Sequence, residues 1–382
     1  MTRITILVTH LLGTGHLARA LTLGAACKSG GFKPQVISGR APPAHLDRSG
    51  VDLVQLPPVR SDGANFTRLL DDAGNPVTAS LMAERSRAIF NAFESSPPDV
   101  LVTELFPFGR RILQGEFEAA LSVAKKTPRP PLVLSSIRDI LAPPLKPGKA
   151  EQTHARLARF YDGVLVHSDP EIIPLEASWP VTPDLAAMLH YTGFIAPPQT
   201  PVDNGSRDGA GEILVTAGGG PVGRKLFETA IAAAAISGQR RWRLLVGGGD
   251  AAGVCARLND AAEDVPVTVE PARRDYRTML GRCAAAVGQC GYNTALDWLQ
   301  TGVPGVFVPF AEAGETEQTL RAQSLHKRFG YGLIAEADLT PQKLADAAEV
   351  ATRRGRIAAG NLKLDGAATS VRIIGSLMEA RR

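Results

Sequence analysis

Two doubly wound, Rossmann-like α/β domains facing a cleft are the fold class this sequence predicts, and three observations predict it. Short apolar runs alternate with helix-periodic segments from end to end, a proline- and glycine-rich stretch interrupts the alternation near the middle, and 382 residues are too many for one ordinary domain. In the first half the apolar runs fall at residues 4–8, 35–38, 51–56, 100–103, 132–137 and 163–167, with helical patterns at 16–28, 81–95, 111–125 and 150–161. In the second half the runs recur at 213–217, 243–246, 267–270, 284–287, 305–308 and 332–335. Strands that alternate with helices build parallel sheets covered on both faces, because each crossover lays a helix back across the sheet. The interruption carries Ala196-Pro197-Pro198 and then Asn204-Gly205-Ser206, with no apolar period, and reads as a linker. The expected boundaries are therefore 1–196 for the first domain, 197–211 for the linker, 212–366 for the second domain and 367–382 for a last helix. Ligands are expected in the cleft at the carboxyl ends of the strands.

Composition narrows the function classes. The hydrophobic fraction of 44% is ordinary for a globular protein, and no apolar run reaches the length of a transmembrane helix. The N-terminal apolar segment is too short for a signal peptide core and lacks a cleavage site. Cys27, Cys255, Cys283 and Cys290 show no Cys-x-x-Cys spacing and are expected as reduced thiols of a cytoplasmic protein. A net charge of +4 is small for this length: it allows attraction to acidic lipid or nucleotide, and no nucleic-acid partner is expected.

The first apolar run ends at Thr9-His10 and enters a loop containing Gly13, Gly15 and His16 before a helical pattern. A dinucleotide fingerprint would place glycine at position 18, where Ala18 stands, and no acidic residue ends the second run. His16 is the first candidate for a catalytic base, since imidazole titrates near neutrality; the alternative is a histidine that only orients the loop or binds phosphate. Glu104 ends the fourth run and Asp139 follows the fifth, each beside arginine, namely Arg110, Arg111 and Arg138. Either carboxylate could be the base, could orient His16, or could form a structural ion pair with one of those arginines. Phe106 and Phe108 are expected to pack beneath the loop.

In the second half, Gly218-Gly219-Gly220 follows the first run and leads to Arg224 and Lys225. Glycines there let a backbone approach a diphosphate, and Arg224 or Lys225 would assist its departure. Gly247, after the next run, is a weaker candidate for lining a nucleoside. The densest signal is Gly288-Gln289-Cys290-Gly291-Tyr292-Asn293-Thr294-Ala295-Leu296-Asp297, followed by Gly302-Val303-Pro304, by Val308-Pro309-Phe310, and by Glu317-Gln318. A glycine turn at a strand end opens a helix whose free N–H groups favour an anion. Asp297, six residues after Gly291, can reach a sugar diol. Glu317 and Arg321 could alternatively be only a surface pair one helical turn apart. No Asp-x-Asp and no clustered His or Cys suggests a metal site.

Gly291, Thr294, Asp297, Gly302-Val303-Pro304, Val308-Pro309-Phe310 and Glu317-Gln318 together resemble the donor-site signature of family 28 glycosyltransferases, most strongly over residues 212–340. Two departures stand out: the family usually has Glu where this chain has Asp297, and a Gln pair where it has Glu317-Gln318. A third is Ile195, near a place where the family usually has a donor-site arginine. The resemblance implies the GT-B fold, with the last helix crossing back to the first domain. It also implies an inverting, metal-independent transfer of a hexose-type sugar from a UDP-sugar or other nucleotide diphosphosugar, with no cofactor. Donor contacts would come from Gly218, Gly219, Gly220, Arg224, Gly247, Gly291, Asn293, Thr294, Asp297, Glu317 and Gln318. The acceptor side would hold Gly13, Gly15, Arg110 and Arg138, with His16, Glu104 and Asp139 as catalytic candidates. The acceptor is expected to be a small molecule or a lipid, with peripheral contact at the inner face of the membrane through residues such as Arg60, Arg68, Arg85 and Arg87 and the apolar loop at 141–146. A nucleotide-sugar hydrolase of the same fold, or a non-catalytic binder, are the rival readings.

Overall fold

The structure is a computed structural model that describes residues 1–11, 14–43, 46–62, 68–196, 205–217, 223–238, 240–311, 315–358, 360 and 362–381. The chain divides into two compact units, one of Met1–Pro197 with Lys363–Arg382 and the other of Pro198–Leu362.

Unit 1 begins with β1 (Arg3–Val8), α1 (Gly15–Ser29), β2 (Lys33–Ser38), β3 (Asp52–Gln55), and a small hairpin of β4 (Arg60–Ser61) and β5 (Leu69–Leu70). It continues with α2 (Ala79–Ser95), β6 (Val100–Glu104), α3 (Gln114–Lys125), β7 (Leu132–Arg138), α4 (Lys149–Phe160), β8 (Gly163–His167), α5 (Pro183–Met188) and β9 (Leu189–Tyr191). Seven strands form one sheet in the order β3-β2-β1-β6-β7-β8-β9, parallel throughout. β1 and β6 are nearly unbroken apolar runs because both faces of such a sheet are covered. Thr78 caps α2 by accepting the Leu81 N–H, and Thr182 caps α5 with Pro183 in its first turn. β4, β5 and β9 are two or three residues long, too short for an apolar period to reveal them.

Unit 2 runs β10 (Ile213–Thr216), α6 (Arg224–Ile236), β11 (Trp242–Val246), α7 (Ala251–Ala261), β12 (Val267–Pro271), α8 (Tyr276–Leu280) and β13 (Ala285–Gly288). It ends with α9 (Tyr292–Thr301), β14 (Gly305–Phe307), α10 (Glu317–Phe329), β15 (Gly332–Leu333) and α11 (Pro341–Arg354). Its parallel sheet has the order β12-β11-β10-β13-β14-β15. α9 and α10 stop at Gly302 (φ 62°) and Gly330 (φ 70°), left-handed positions that suit glycine.

The last helix, α12 (Gly366–Ala380), belongs to unit 1 and packs on α1. Its Ile374 is fully buried beside Ile4, Ile6 and Leu17. A β-carbon at Gly30 would lie 2.6 Å from Val371 Cγ1, so the close approach of this helix requires glycine there. Ile195 bridges to Asp365 and packs in the same cluster, so it serves the core of unit 1.

Candidate functional site

In unit 1 the strand order reverses between β1 and β6. The segments leaving those two carboxyl ends diverge to opposite faces, which opens a crevice at the strand tips. His16, near the start of α1, and Glu104, the last residue of β6, meet there. His16 Nδ1 lies 2.9 Å from Glu104 Oε1, and Arg19, one turn further along α1, donates to the same oxygen. Ser136 on β7 donates to Glu104 Oε2 at 2.6 Å. Glu104 is buried and the His16 side chain is 16% exposed. Burial disfavours the Glu104 charge, yet the Arg19 charge and the His16 hydrogen bond outweigh it and hold the carboxyl well below the usual range. Burial and the Arg110 charge, joined by Arg19, keep the His16 imidazole well below its ordinary 6.5 against the pull of Glu104. A neutral imidazole that donates Nδ1–H to Glu104 keeps its Nε2 lone pair free, and Nε2 has no hydrogen-bond partner among the described residues. This is the disposition of a general base with its orienting carboxylate.

The segment that follows Glu104 is fixed by buried contacts. Ser135 Oγ donates to the Phe106 carbonyl at 2.9 Å, and Thr103 Oγ1 and the Tyr161 hydroxyl, hydrogen-bonded to each other at 2.8 Å, lie 2.8 and 3.2 Å from the same oxygen. Phe106 stacks on Phe117 and Phe108 meets Trp179 edge-on, both beneath the loop as expected. Arg110 takes a left-handed backbone (φ 60°) and donates from Nε to the Thr9 carbonyl at 2.7 Å. Burial, with Arg138 and Arg19 nearby, lowers the Arg110 guanidinium to about 10 although Glu104 draws it upward.

Two expectations change here, the ion pair of Glu104 and the exposure of Arg85. Glu104 forms its ion pair with Arg19 rather than with Arg110, Arg111 or Arg138, because one helical turn brings Arg19 alongside His16. Asp139 is fully buried and accepts the Ile140 N–H at 2.9 Å, whereas Ser136, two residues before Arg138 on the strand, reaches Glu104. Arg85 is fully buried in a pair with Glu116 and is not available to a membrane surface. Arg138 is half-buried at the end of β7, and Gly15 opens α1 where an added β-carbon would meet no atom within 4 Å. Gly13 lies outside the described residues. In the loop at 141–146, Leu141 is buried while Leu145 is 86% exposed, and Lys149 Nζ donates to the carbonyls of Ala142 (3.3 Å) and Pro143 (2.9 Å).

Behind Glu104 runs a buried relay. Ser136 Oγ is 2.9 Å from His167 Nε2, and His167 Nδ1 is 2.9 Å from Thr192 Oγ1. Burial pushes His167 down to about 3, and burial with Arg40 and Arg110 pushes His10 down to about 4. Both are neutral in the folded protein near pH 7, whereas the unfolded chain protonates them near 6.5. Their contribution to stability is complete above 6.5 and is lost as pH falls toward those lower values. Equilibrium denaturation should therefore show stability falling below about pH 6.5 by about 1.4 kcal/mol per pH unit for each such histidine. His167→Gln should reduce that slope; an unchanged slope would contradict the assignment.

Unit 2 repeats the geometry, with its strand order reversing between β10 and β13. Gly218, Gly219 and Gly220 follow β10 but lie outside the described residues. After β13, Gly291 precedes α9 with an extended backbone (φ −63°, ψ 156°), and the nearest atom to a β-carbon there would be Thr294 Oγ1 at 4.0 Å. Neither its backbone angle nor packing against the described residues demands this glycine, and among those residues it leaves open space before the N–H groups of α9. No side chain among the described residues caps that helix, and Asn293 is exposed. Arg321 is buried, donates to the Cys290 carbonyl at 2.8 Å, pairs with Glu317 at 2.9 Å, and lies 5.7 Å from the Tyr292 ring centroid. The Glu317–Arg321 pair is thus no surface pair: it ties α10 to the Gly291 turn. Gln318 Oε1 accepts the Phe310 N–H at 3.3 Å.

Asp297 is buried one turn and a half into α9, with Oδ1 2.6 Å from Arg277 Nε. Sequence reading missed Arg277, whose partner lies 20 residues away across a helix and a strand. Arg224 is 85% exposed and pairs with Glu228, and Lys225 Nζ donates to the Glu336 carbonyl at 2.7 Å. Gly247 leaves the end of β11 half-buried, next to Gly248 with φ 99°.

Residues 228–356 match the glycosyltransferase family 28 C-terminal domain. The whole of this match lies within unit 2. That span includes the Gly291 turn, Asp297, Arg277, Glu317, Gln318 and Arg321. The chain is 29% identical over 227 residues to the UDP-N-acetylglucosamine–N-acetylmuramyl-(pentapeptide) pyrophosphoryl-undecaprenol N-acetylglucosamine transferase of Acidovorax sp. (strain JS42), covering 59% of this chain and 52% of that one. It is 32% identical over 147 residues to the O-mycaminosyltylonolide 6-deoxyallosyltransferase of Streptomyces fradiae, covering 37% of this chain and 31% of that one. The chain thus spans about half the length of the first of these relatives. Among solved structures, MurG of Acinetobacter baumannii aligns with a TM-score of 0.60 at 15% identity, over 98% of this chain and 99% of that one. CalG4, the calicheamicin glycosyltransferase, aligns with a TM-score of 0.60 at 15% identity, over 99% and 98%. The fold of the chain is that of the GT-B glycosyltransferases.

Proposed function

We propose that this chain is an inverting glycosyltransferase that moves a hexose-type sugar from a UDP-sugar, or another nucleotide diphosphosugar, to a hydroxyl of a lipid acceptor. The observation that carries the reading is the Gly291 turn at the start of α9, which among the described residues has no side-chain cap and open space beside the glycine, with the Asp297 carboxylate behind it, inside the span that matches the family 28 domain. In this reading the α9 N–H groups take the diphosphate, and Asp297 takes the nucleoside sugar. Asn293, Thr294 and Gln318 supply further polar contacts, with Glu317 acting through Arg321. His16 removes the proton from the acceptor hydroxyl as it attacks the anomeric carbon, and Glu104 stabilises the imidazolium that forms. The nucleoside diphosphate leaves with the bonding electrons. No helix among the described residues is long and apolar enough to cross a membrane, so contact with lipid would be peripheral at the cytoplasmic face.

The test is incubation of the purified protein with several nucleotide sugars, with and without a cell lipid extract, followed by mass spectrometry. A new glycolipid with release of the nucleoside diphosphate supports transfer. Equal release without any acceptor would mark a hydrolase in which His16 activates water. Within the same reading, Asp297→Ala should raise the dissociation constant for the nucleotide by about tenfold, the loss of one charge-assisted hydrogen bond. Unchanged affinity in a folded variant would remove Asp297 from the donor site.

A further inference from the structure

Asp297 is held in an unusual way for a carboxylate meant to bind a diol. It has two oxygens, and contacts within unit 2 commit one of them. Arg277 Nε donates to Oδ1 at 2.6 Å, while Oδ2 receives no hydrogen bond from the described residues. The contact is braced by a second one beside it. Tyr276 and Arg277 are adjacent on α8, Asp297 and Trp298 are adjacent on α9, and Trp298 Nε1 donates to the Tyr276 hydroxyl at 3.1 Å. Trp298 is fully buried and stacks on Phe307, so α9 cannot roll to present both Asp297 oxygens outward. The aspartate stem is also one methylene shorter than glutamate, which leaves little reach beyond the Arg277 contact.

We propose, resting on the donor-site reading above, that Arg277 is a positioning residue that fixes Asp297 so that only Oδ2 meets the nucleoside. The site therefore offers the sugar one carboxylate oxygen in place of two and accepts ribo- and 2′-deoxyribonucleoside diphosphates alike. A carboxylate that holds each hydroxyl on its own oxygen loses a charge-assisted bond when the 2′-hydroxyl is absent; here both hydroxyls would share Oδ2, and the 3′-hydroxyl alone keeps that oxygen hydrogen-bonded. Arg277 has a second consequence. Burial pulls the Asp297 carboxyl upward, opposed by the Arg277 charge and hydrogen bond. The other titratable group facing Asp297 from α8 is Tyr276, whose phenol burial keeps neutral. Arg321, from α10, faces the opening turn of α9 through Cys290 and Tyr292. Removing Arg277 takes away the cation that keeps Asp297 ionised, so nucleotide binding should weaken as pH falls.

The experiment is titration calorimetry of UDP and 2′-deoxy-UDP with the full chain and with Arg277→Ala, Arg277→Lys and Asp297→Ala, at several pH values. The native protein should bind the two nucleotides within about threefold of each other, against about tenfold or more for a carboxylate that grips both hydroxyls. Arg277→Ala should weaken both by about tenfold near neutrality and move the pH dependence of binding to higher pH. Arg277→Lys should restore the pH dependence, since a lysine supplies the charge. A strong ribose preference in the native protein, or an Arg277→Ala pH profile identical to the native one, overturns the proposal. If Asp297→Ala weakens binding while Arg277→Ala does not, the donor-site reading stands and this inference fails. If Asp297→Ala has no effect, the donor-site reading itself fails.

Discussion

His16→Ala is expected to lower kcat by about a hundredfold or more, with nucleotide affinity changed by less than about twofold. The asymmetry follows from the proposed roles: His16, on α1 of unit 1, serves as proton acceptor, while the nucleotide contacts are assigned to the Gly291 turn and Asp297 of unit 2. The base must be neutral to act, and burial with Arg110 and Arg19 keeps His16 below 6.5. Activity should therefore persist below pH 6.5 and fall only as pH drops through the lowered value, and that acid limb should vanish in His16→Ala. Glu104→Gln keeps the shape but removes the charge that stabilises the imidazolium, so it should also lower kcat and move the limb to lower pH. Asp139→Asn should have a smaller effect on kcat than either, because its carboxyl is fully buried and bound to the backbone of Ile140. Near-normal turnover in His16→Ala with a dead Asp139→Asn would transfer the role of base.

The second large effect is on stability. Arg85 is fully buried and donates to both Glu116 oxygens, at 2.7 and 2.8 Å, to the Gly39 carbonyl at 3.1 Å, and to the Pro57 carbonyl. It also reaches Thr9 Oγ1 at 3.4 Å, at the end of β1. Arg85→Ala leaves the Glu116 carboxylate buried without its cation and strips donors from two carbonyls. Chemical denaturation should show a loss of about 3–5 kcal/mol. The double change Arg85→Met with Glu116→Leu should recover much of that loss, because the unpaired charge goes as well. A loss below about 1 kcal/mol in Arg85→Ala would mean that water replaces the guanidinium.

Much of the fold was legible because parallel strands covered on both faces leave near-continuous apolar runs. β1, β6, β7 and β8 stand out that way. The hairpin of β4 and β5, and β9, carry too few residues for any period, and their existence depends on neighbours already in place. The Gly291 turn and its neighbours were legible for a related reason: a glycine turn, a helix start and a carboxylate lie within about ten residues, so local chain geometry alone brings them together. The first-unit site was half legible. His16 and Glu104 were each visible as polar residues at strand ends, but 88 residues separate them. Arg85 looked like a surface cation, since nothing local marks the buried Glu116 that receives it 31 positions later.

By itself, then, the sequence determined the elements, the parallel sheets and the chemistry available at their carboxyl ends, because hydrophobic period, glycine turns and helix starts act over a few residues. Tertiary structure decided the partners. The strand order places β1 beside β6 and so brings His16 to Glu104, one helical turn adds Arg19, and the packing of α8 on α9 puts Arg277 against Asp297. Those pairings are contacts between segments far apart in the chain, and burial at each of them, which only the folded molecule creates, sets the charge state on which the proposed chemistry depends.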